Sequence, residues 1–401
     1  MEHQDLFQEA SKVFPGGVNS PVRAFHSAGQ PYPLFIRSAH KSFVIDEKNR
    51  CFLDFVGSWG PMIHGHSHPK IVESVIQTAK RGLSFGAPTK KETTLAHLIQ
   101  ESFPRMEKMR FTSSGTEAAM TAVRLARGAT GRSVIIKFQG SYHGHSDSLL
   151  VEIGSAGASV ESSLTSHGIL SSTAEQTHIL PFNDVSTLIA HFENFGSQIA
   201  AVIVEPIAGN MGCIPGTVEF ISAIEECCKT YGALSIADEV MTGFRVDFHG
   251  ATSLYSGFQP DLYLLGKIVG GGLPMGVLGG SKDYLDLLAP SGPVYHAGTL
   301  SGNPMAVQAG ITSLELLKKE DFYPMLEEKT ALLCNSVSQL LETQHITHSM
   351  HYRIGMFSFF DTAQAPMNFE RYSASYHSMV MNLWQYHRYM TDQLLHYSVV
   401  C

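Results

Sequence analysis

Short apolar runs bounded by glycine, proline or polar turns recur along the middle of the chain and alternate with stretches of helical spacing. The runs have the length and composition of strands that are buried on both faces of a sheet. The predicted strands are Met109–Thr112, Ser133–Phe138, Ala200–Val204, Ala233–Val240 and Asp261–Gly266. Helical spacing is found between them, in Pro69–Gly82 and in about Glu117–Arg127. This alternation from about residue 60 to residue 280 predicts an α/β fold with a doubly wound, mostly parallel sheet.

The two ends of the chain have a different pattern. A short helix, Asp5–Val13, is predicted before the turn at Pro15. The segments of a predicted small antiparallel meander are Leu34–Ile36, Ser42–Ile45 and Cys51–Phe55. Two further helices are predicted, from Asn303 to about Lys319 and from about Pro324 to Thr343. The second of these helices begins a smaller C-terminal lobe.

Polar residues follow two of the predicted strands at their C-terminal ends. Asp238 ends one apolar run, and Lys267 follows the next one and precedes a glycine-rich turn. The C-terminal ends of parallel strands face the crevice in which α/β folds bind ligands. A lysine desolvated there has a lowered pKa and supplies the neutral amine that a Schiff base requires, while a carboxylate can keep a pyridine nitrogen protonated. The pair therefore indicates pyridoxal phosphate; the alternative is a helix-capping Asp238 and a solvated loop lysine.

Three other segments are candidates for binding. The turn Ser113–Glu117, between a strand and a helix, is typical of a phosphate site, although ordinary helix capping explains the same residues. In Gly140–Asp147, an aromatic residue could stack on a flat ring. Residues 153–173 are small and polar, which favours a lid over the site or, alternatively, a surface excursion. Arg23 is either a carboxylate clamp or a surface charge.

Composition limits the other possibilities. The net charge of −8, with no basic run, argues against nucleic acid and anionic membranes as partners. No run reaches the roughly 18 apolar residues of a membrane span, and the first ten residues do not resemble a signal peptide. Six cysteines without a CxxC pair are typical of free thiols in a reducing cytoplasm, which is the predicted location.

The histidines of the segment His64–His68 suggest a metal site at first sight. No acidic residue or further histidine lies at a suitable spacing, and glycine and proline punctuate the segment just before a predicted helix. A turn is therefore the preferred interpretation, and no metal is predicted.

With these residues in view, the chain resembles the class III aminotransferases, which are fold-type I pyridoxal phosphate enzymes, over about residues 11 to 361. The matching segments, in chain order, are Gly16–Phe25, Ser113–Ala118, Tyr142–His145, Glu205-Pro206 with Asn210, Asp238–Val240, Gly266-Lys267 with Gly270–Pro274, and Gly298-Thr299. The resemblance implies a seven-stranded sheet and a smaller α+β domain built from both termini. The implied division is residues 1–55 for the N-terminal part of the small domain, 56–300 for the large cofactor-binding domain and 301–401 for a linking helix with the C-terminal small domain.

The resemblance also implies roles for individual residues. Lys267 is the implied catalytic residue, which binds the cofactor and carries the proton. The implied cofactor-binding residues are Ser114, Gly115, Thr116, Tyr142, His143, Asn210, Asp238, Val240, Lys267 and Thr299, and the implied substrate-binding residues are Ser20, Arg23, Trp59 and Glu205. Within this set, Asp238 would pair with the pyridine nitrogen, while Val240 and Tyr142 would cover the two faces of the ring.

The implied activity follows the aminomutase branch of the group. Such an enzyme moves an amino group within one small amino-aldehyde, using pyridoxal 5′-phosphate and its pyridoxamine form. An ordinary ω-aminotransferase is the alternative, and the segment Val18–Arg23 favours the aminomutase. The resemblance further implies a homodimer in which Thr299 reaches the neighbouring site, and glutamyl-tRNA reductase as a candidate protein partner.

The end of the chain differs from this pattern from about Thr362, and most clearly from Met381. The segment has no glycine after Gly355 and no proline after Pro366, and it is rich in tyrosine and histidine. A shifted reading frame or an early truncation is one hypothesis for the difference. A non-catalytic pyridoxal phosphate-binding protein is therefore a further alternative.

Overall fold

A computed structural model of the chain describes residues 2–25, 31–151 and 166–375. Its strands are β1 (Ile36–His40), β2 (Phe43–Asp46), β3 (Cys51–Leu53), β4 (Lys108–Thr112), β5 (Val134–Phe138), β6 (Thr177–Leu180), β7 (Ile199–Val204), β8 (Ile207–Ala208), β9 (Ile214–Pro215), β10 (Leu234–Asp238), β11 (Leu262–Gly266), β12 (Gly276–Gly280), β13 (Ser349–Arg353) and β14 (Met356–Phe360). Its α-helices are α1 (His3–Ser11), α2 (Pro69–Ala79), α3 (Lys90–Ser102), α4 (Gly115–Thr130), α5 (Ser171–Ala174), α6 (Val185–Phe195), α7 (Val218–Tyr231), α8 (Lys282–Leu285), α9 (Pro304–Leu317) and α10 (Phe322–Thr343).

Seven strands form the central sheet, in the order β4-β12-β11-β10-β7-β5-β6. The strands β11, β10, β7, β5 and β6 run parallel to one another, and β12 is antiparallel to both of its neighbours. The predicted doubly wound and mostly parallel sheet is therefore confirmed. In parallel strands the carboxyl ends meet at one edge, which is the edge on which the functional residues lie.

The sheet is buried on both faces because its strands alternate between two apolar layers. In β11, Leu262 and Leu264 pack with α4 on one face, whereas Tyr263 and Leu265 join the cluster that contains α3, α7 and α9 on the other. Every residue of β11 is buried. Continuous apolar runs are what this environment requires, and they are the feature that made these strands predictable.

The predicted strand positions are confirmed to within a few residues, but β6 and β12 were not predicted from the pattern. β12 has the sequence Gly-Val-Leu-Gly-Gly, which is typical of a turn. Its glycines are needed for close packing, because a β-carbon at Gly276 would lie 2.2 Å from the Ser114 carbonyl oxygen. Glycine in a strand often marks such a close backbone approach.

The two ends of the chain form smaller sheets. β1, β2 and β3 make the predicted antiparallel meander, and β13 and β14 form a hairpin after α10. The rings of Phe55 and Phe357 meet edge to face at 6.3 Å, which joins the N-terminal and C-terminal parts. The division at residues 55 and 300 remains a prediction.

Two predicted features fall wholly or partly beyond the described residues. Residues 153–165 of the predicted lid segment lie outside them, and the rest of that segment leads into the short helix α5. The segment from Met381 also lies outside. The segment before residue 375 packs on the central part of the chain: the Asn183 side-chain amide donates to the Met367 carbonyl at 2.9 Å, and Tyr372 belongs to the main core cluster. Within the described ranges, no helix is both long and apolar enough to cross a membrane.

Replacing Leu314 by alanine should lower the free energy of unfolding by about 2–5 kcal/mol, because this α9 side chain is fully buried in the core. Leu332→Ala is the matched control, since Leu332 is 67% exposed on α10 and its loss should change stability by less than about 0.5 kcal/mol. Urea unfolding followed by circular dichroism measures both. Equal effects of the two substitutions would contradict the placement of α9 in the core.

Candidate active site

Three charged side chains lie at the carboxyl ends of neighbouring parallel strands. β10 ends at Asp238, β11 leads directly into Lys267, and β7 leads into Glu205. Asp238 is paired in register with Leu264 of β11, so the chain reaches Lys267 three residues beyond that pairing. The strand order β11-β10-β7 therefore places Lys267, Asp238 and Glu205 next to one another at one edge, with Asp238 in the middle.

Lys267 begins a 3-10 turn with a backbone φ of 49°, in the left-handed region. Such a conformation is unusual for a residue with a side chain and is found preferentially at functional sites. Burial lowers the pKa of the Lys267 amine, against the attraction of Asp238 and Glu205 and with the help of the Arg245 cation. The lysine is therefore biased towards the neutral, nucleophilic form.

The Asp238 carboxylate is held on both oxygens by the protein. His143 Nδ1 donates to Oδ2 at 2.7 Å, and the Val240 amide donates to Oδ1 at 3.0 Å. Asp238 is 4% exposed and His143 is 2% exposed. These bonds fix the orientation of the carboxylate. Among the described residues, the buried Nε2 of His143 has no hydrogen-bond partner.

Glu205 connects the loop after β5 to the turn after β8. One carboxylate oxygen accepts from the Tyr142 amide at 3.1 Å, the other accepts from the Gly209 amide at 3.0 Å, and the Asn210 side-chain amide donates to both at 3.2 Å. Burial raises the pKa of Glu205, and the neighbouring Asp238 charge raises it further. These contacts hold Tyr142 and Asn210 near the strand ends.

The N-terminus of α4 completes the same edge. Ser114 caps the helix, with its hydroxyl accepting the Glu117 amide at 3.2 Å, and Gly115 and Thr116 form the first turn. A β-carbon at Gly115 or at Gly266 would lie 3.0 Å from the Val240 side chain. The free amides of this first turn and the helix dipole favour an anion. The geometry of this turn is therefore compatible with both interpretations from the sequence, a helix cap and an anion site.

The loop that contains Tyr142 and His143 packs directly on this turn. A β-carbon at Gly144 would lie 2.5 Å from the Thr116 hydroxyl, so only glycine fits, and its φ is 88°. Burial raises the pKa of the Tyr142 hydroxyl. The structure thus gathers most of the predicted cofactor-binding residues into one cluster.

Those residues fit pyridoxal phosphate. A desolvated amine suits its aldehyde, a fixed carboxylate suits its pyridine nitrogen, and a helix N-terminus suits its phosphate. The orphaned Nε2 of His143 is a further polar atom buried in the cluster with capacity for a ligand.

The structure does not bring every predicted residue into this cluster. Ser20 and Arg23 lie at the 3-10 turn Pro21–Ala24, and Arg23 is exposed. Thr299 is exposed in the chain. Trp59 lies at the edge of the site, because the next residue, Gly60, contacts Lys267. The roles of all four remain predictions.

Two residues that support the site were not predicted from the sequence. Glu239 is fully buried and accepts the amides of Ala251 and Thr252 at 2.9 and 2.7 Å, which fixes the chain after Asp238. Arg245 donates to the carbonyl oxygens of Gly60 and Gly355. In the sequence, Glu239 was noted only as part of the segment Asp238–Val240 that matches the family. The signal that could have identified Arg245 was its charge within an apolar and glycine-rich stretch.

The segment His64–His68 forms a turn before α2, as preferred. Two of its three histidines have separate partners: His64 Nε2 contacts the Ser313 carbonyl at 3.0 Å, and His66 Nε2 contacts the Asp54 carboxylate at 2.6 Å. Burial lowers the pKa of His64 to about 4. In the described part of the chain, no group of three or more metal-ligating side chains is found.

Comparison with known proteins agrees with this geometry. The profile of the family "Aminotransferase class-III" matches residues 24–379. The chain belongs to the class III aminotransferase family. This match extends beyond residue 361, the predicted end of the resemblance, and includes the packed segment up to residue 375.

Three relatives show which kinds of class III enzyme the chain is similar to. The chain is 50% identical over 339 residues to glutamate-1-semialdehyde 2,1-aminomutase of Heliobacterium modesticaldum, covering 84% of this chain and 77% of that protein. A solved ω-transaminase from Sphaerobacter thermophilus is 32% identical, with a TM-score of 0.85 over 93% of this chain and 85% of that one. A solved transaminase with pyridoxal phosphate bound is 26% identical, with a TM-score of 0.81 over 97% of this chain and 100% of the other.

Lys267→Ala should abolish the adduct that borohydride traps between the protein and pyridoxal phosphate, because the substitution removes the amine. Mass spectrometry of the reduced protein measures the adduct, and Lys90→Ala, which removes an exposed lysine of α3, is the control. An adduct that persists in full after Lys267→Ala would contradict the assignment.

Proposed function

We propose that the chain is a glutamate-1-semialdehyde 2,1-aminomutase, a pyridoxal phosphate-dependent isomerase. It moves the amino group within glutamate 1-semialdehyde and gives 5-aminolevulinate, a precursor of haem and other tetrapyrroles. The observation that carries the proposal is the 50% identity to a named aminomutase over 84% of the chain, together with a cluster in which Lys267 and Asp238 lie on adjacent strand ends. The identity to the ω-transaminase is lower, at 32%.

The cofactor supplies an electron sink that stabilises a carbanion next to the amine being moved. The chain supplies the proton chemistry and the positioning. Burial lowers the pKa of Lys267, and this residue can accept and return a proton at its Nζ atom. Asp238, oriented by His143, would stabilise a protonated pyridine nitrogen when the cofactor is bound. Because these groups are buried away from water, the electrostatic interactions between them are only weakly screened.

Substrate binding is proposed for Ser20, Arg23, Trp59 and Glu205. Arg23 is proposed to bind the substrate carboxylate in a bidentate manner, with Ser20 beside it, and Trp59 is proposed to form an apolar wall. Glu205 is proposed to act close to the substrate through the Tyr142 and Asn210 contacts that it organises.

Purified protein incubated with glutamate 1-semialdehyde and no second amino acceptor should form 5-aminolevulinate over many turnovers, because one molecule both donates and receives the amine. Colorimetric assay of 5-aminolevulinate measures the product, with Lys267→Ala as the inactive control. Turnover that requires an added keto acid would identify an ω-aminotransferase instead. Cofactor binding without any turnover would identify a non-catalytic relative.

A homodimer is part of the proposal, with Thr299 binding the phosphate in the partner's site. Thr299 is exposed in the single chain, as is Leu300 at 55%, which leaves this segment available to a second copy. Glutamyl-tRNA reductase is the proposed protein partner. A cytoplasmic location is proposed because the described cysteines are free thiols.

Hybrid dimers test whether Thr299 acts across the interface. A dimer of one Lys267→Ala chain and one Thr299→Val chain should keep one site with wild-type affinity for pyridoxal phosphate, because both defects then fall in the other site. Fluorescence titration of the apo hybrid with cofactor measures the affinity, and the Thr299→Val homodimer is the weakened reference. If the higher-affinity site of the hybrid binds the cofactor no more tightly than the Thr299→Val homodimer does, Thr299 acts in the site of its own chain.

A further inference from the structure

Arg245 connects three segments that are distant in the sequence. It follows β10 and the loop fixed by Glu239, and its guanidinium donates to the Gly60 carbonyl through Nη2. Through Nη1 it donates to the Gly355 carbonyl, at 3.1 Å, in the turn between β13 and β14. One side chain of the large central region therefore binds both the N-terminal and the C-terminal parts of the chain.

Gly60 is the residue through which this connection reaches the lysine. A β-carbon at Gly60 would lie 2.5 Å from Cδ of Lys267 and 3.3 Å from Sδ of Met241, and its φ of 124° also requires glycine. The Gly60 backbone is thus packed on the aliphatic part of Lys267. Whatever fixes the Gly60 carbonyl also fixes one wall of the lysine's environment, and it places the adjacent Trp59.

We propose that Arg245 is a positioning residue for the reaction, which ties the Trp59-Gly60 segment and the Gly355 turn against Lys267. The proposal rests on the proposed function in one respect, namely that Lys267 carries the cofactor. Arg245 acts through the groups that it holds and through its charge, and it is not assigned a contact with substrate.

The geometry of the two bonds explains why an arginine is needed. A guanidinium presents several donors in a rigid plane, so Nη1 and Nη2 can serve two carbonyl oxygens at once. A lysine has the same charge but one flexible ammonium group and cannot reproduce this fork. Arg245→Lys therefore separates the loss of the tether from the loss of the charge.

The charge of Arg245 has its own effect. The charged groups that face Lys267 are Asp238, Glu205 and Arg245, with His143 beside Asp238. The two carboxylates favour the protonated lysine, and the guanidinium opposes them. Removing the guanidinium charge lets the Lys267 nitrogen hold its proton more tightly, so the pH at which this nitrogen loses the proton rises.

Two measurements on the full-length holoenzyme test the proposal. The first is acrylamide quenching of Trp59 fluorescence in a Trp384→Phe background, which removes the second of the two tryptophans. The second is the pH midpoint of the visible cofactor absorbance, which reports the proton at the lysine nitrogen.

The variants are Arg245→Gln and Arg245→Lys. Arg132→Gln is the matched control, because Arg132 also donates to backbone carbonyls, those of Gly196, Ile199 and Tyr231, at sites remote from Lys267.

Both Arg245 variants should make Trp59 more accessible to acrylamide. Only Arg245→Gln should raise the pH midpoint, by at least about half a unit, since Arg245→Lys keeps the charge. Arg132→Gln should change neither measurement. Unchanged quenching in both Arg245 variants, or an equal midpoint shift in Arg245→Gln and Arg132→Gln, would overturn the proposal.

The test distinguishes this proposal from the proposed function. Neither measurement depends on which amine is moved, so an enzyme that proves to be an ω-aminotransferase gives the same result. A protein that never binds pyridoxal phosphate has no visible band, which contradicts the proposed function, while the quenching comparison on the same protein still decides the tether. If Arg245→Gln does not fold, Arg245→Lys alone decides the quenching comparison.

Discussion

The parallel pairing of β10 with β11 is the constraint on which the site depends. Because Asp238 pairs in register with Leu264, the carboxylate and the lysine that follows β11 leave the sheet at the same edge. The two groups serve different parts of one cofactor, since the lysine amine suits its aldehyde and the carboxylate stabilises a protonated ring nitrogen. A shift in this register would separate them.

The free-energy cost of burying charged groups at this edge is offset by contacts from several parts of the chain. The Asp238 carboxylate is bound by a histidine and an amide, Glu205 by two amides and a side-chain amide, and Lys267 is packed against the Gly60 backbone. Glycines at the close approaches allow this density of packing. The segments that contain Gly60 and Gly355, from the two ends of the chain, are joined by Arg245.

The sequence predicted the features that are local. Apolar runs ending in Asp238 and before Lys267 predict strand ends, and a Ser-Gly-Thr turn before a helix predicts an anion site, because each signal lies within a few residues. β12 was missed because its glycines serve a contact with Ser114 that is distant in the sequence. Arg245 was missed because its partners are backbone carbonyls, which have no side-chain signature. The role proposed for Thr299 involves a second copy of the chain, and it comes from the family resemblance.

The protonation state of the cofactor's ring nitrogen tests the central claim most directly. ¹⁵N NMR of the holoenzyme loaded with pyridoxal phosphate labelled at the pyridine nitrogen reports whether that atom carries a proton. The account predicts a protonated nitrogen in the wild-type protein at neutral pH and an unprotonated one in Asp238→Asn. The same chemical shift in both proteins would contradict the pairing of Asp238 and Lys267 around one ring.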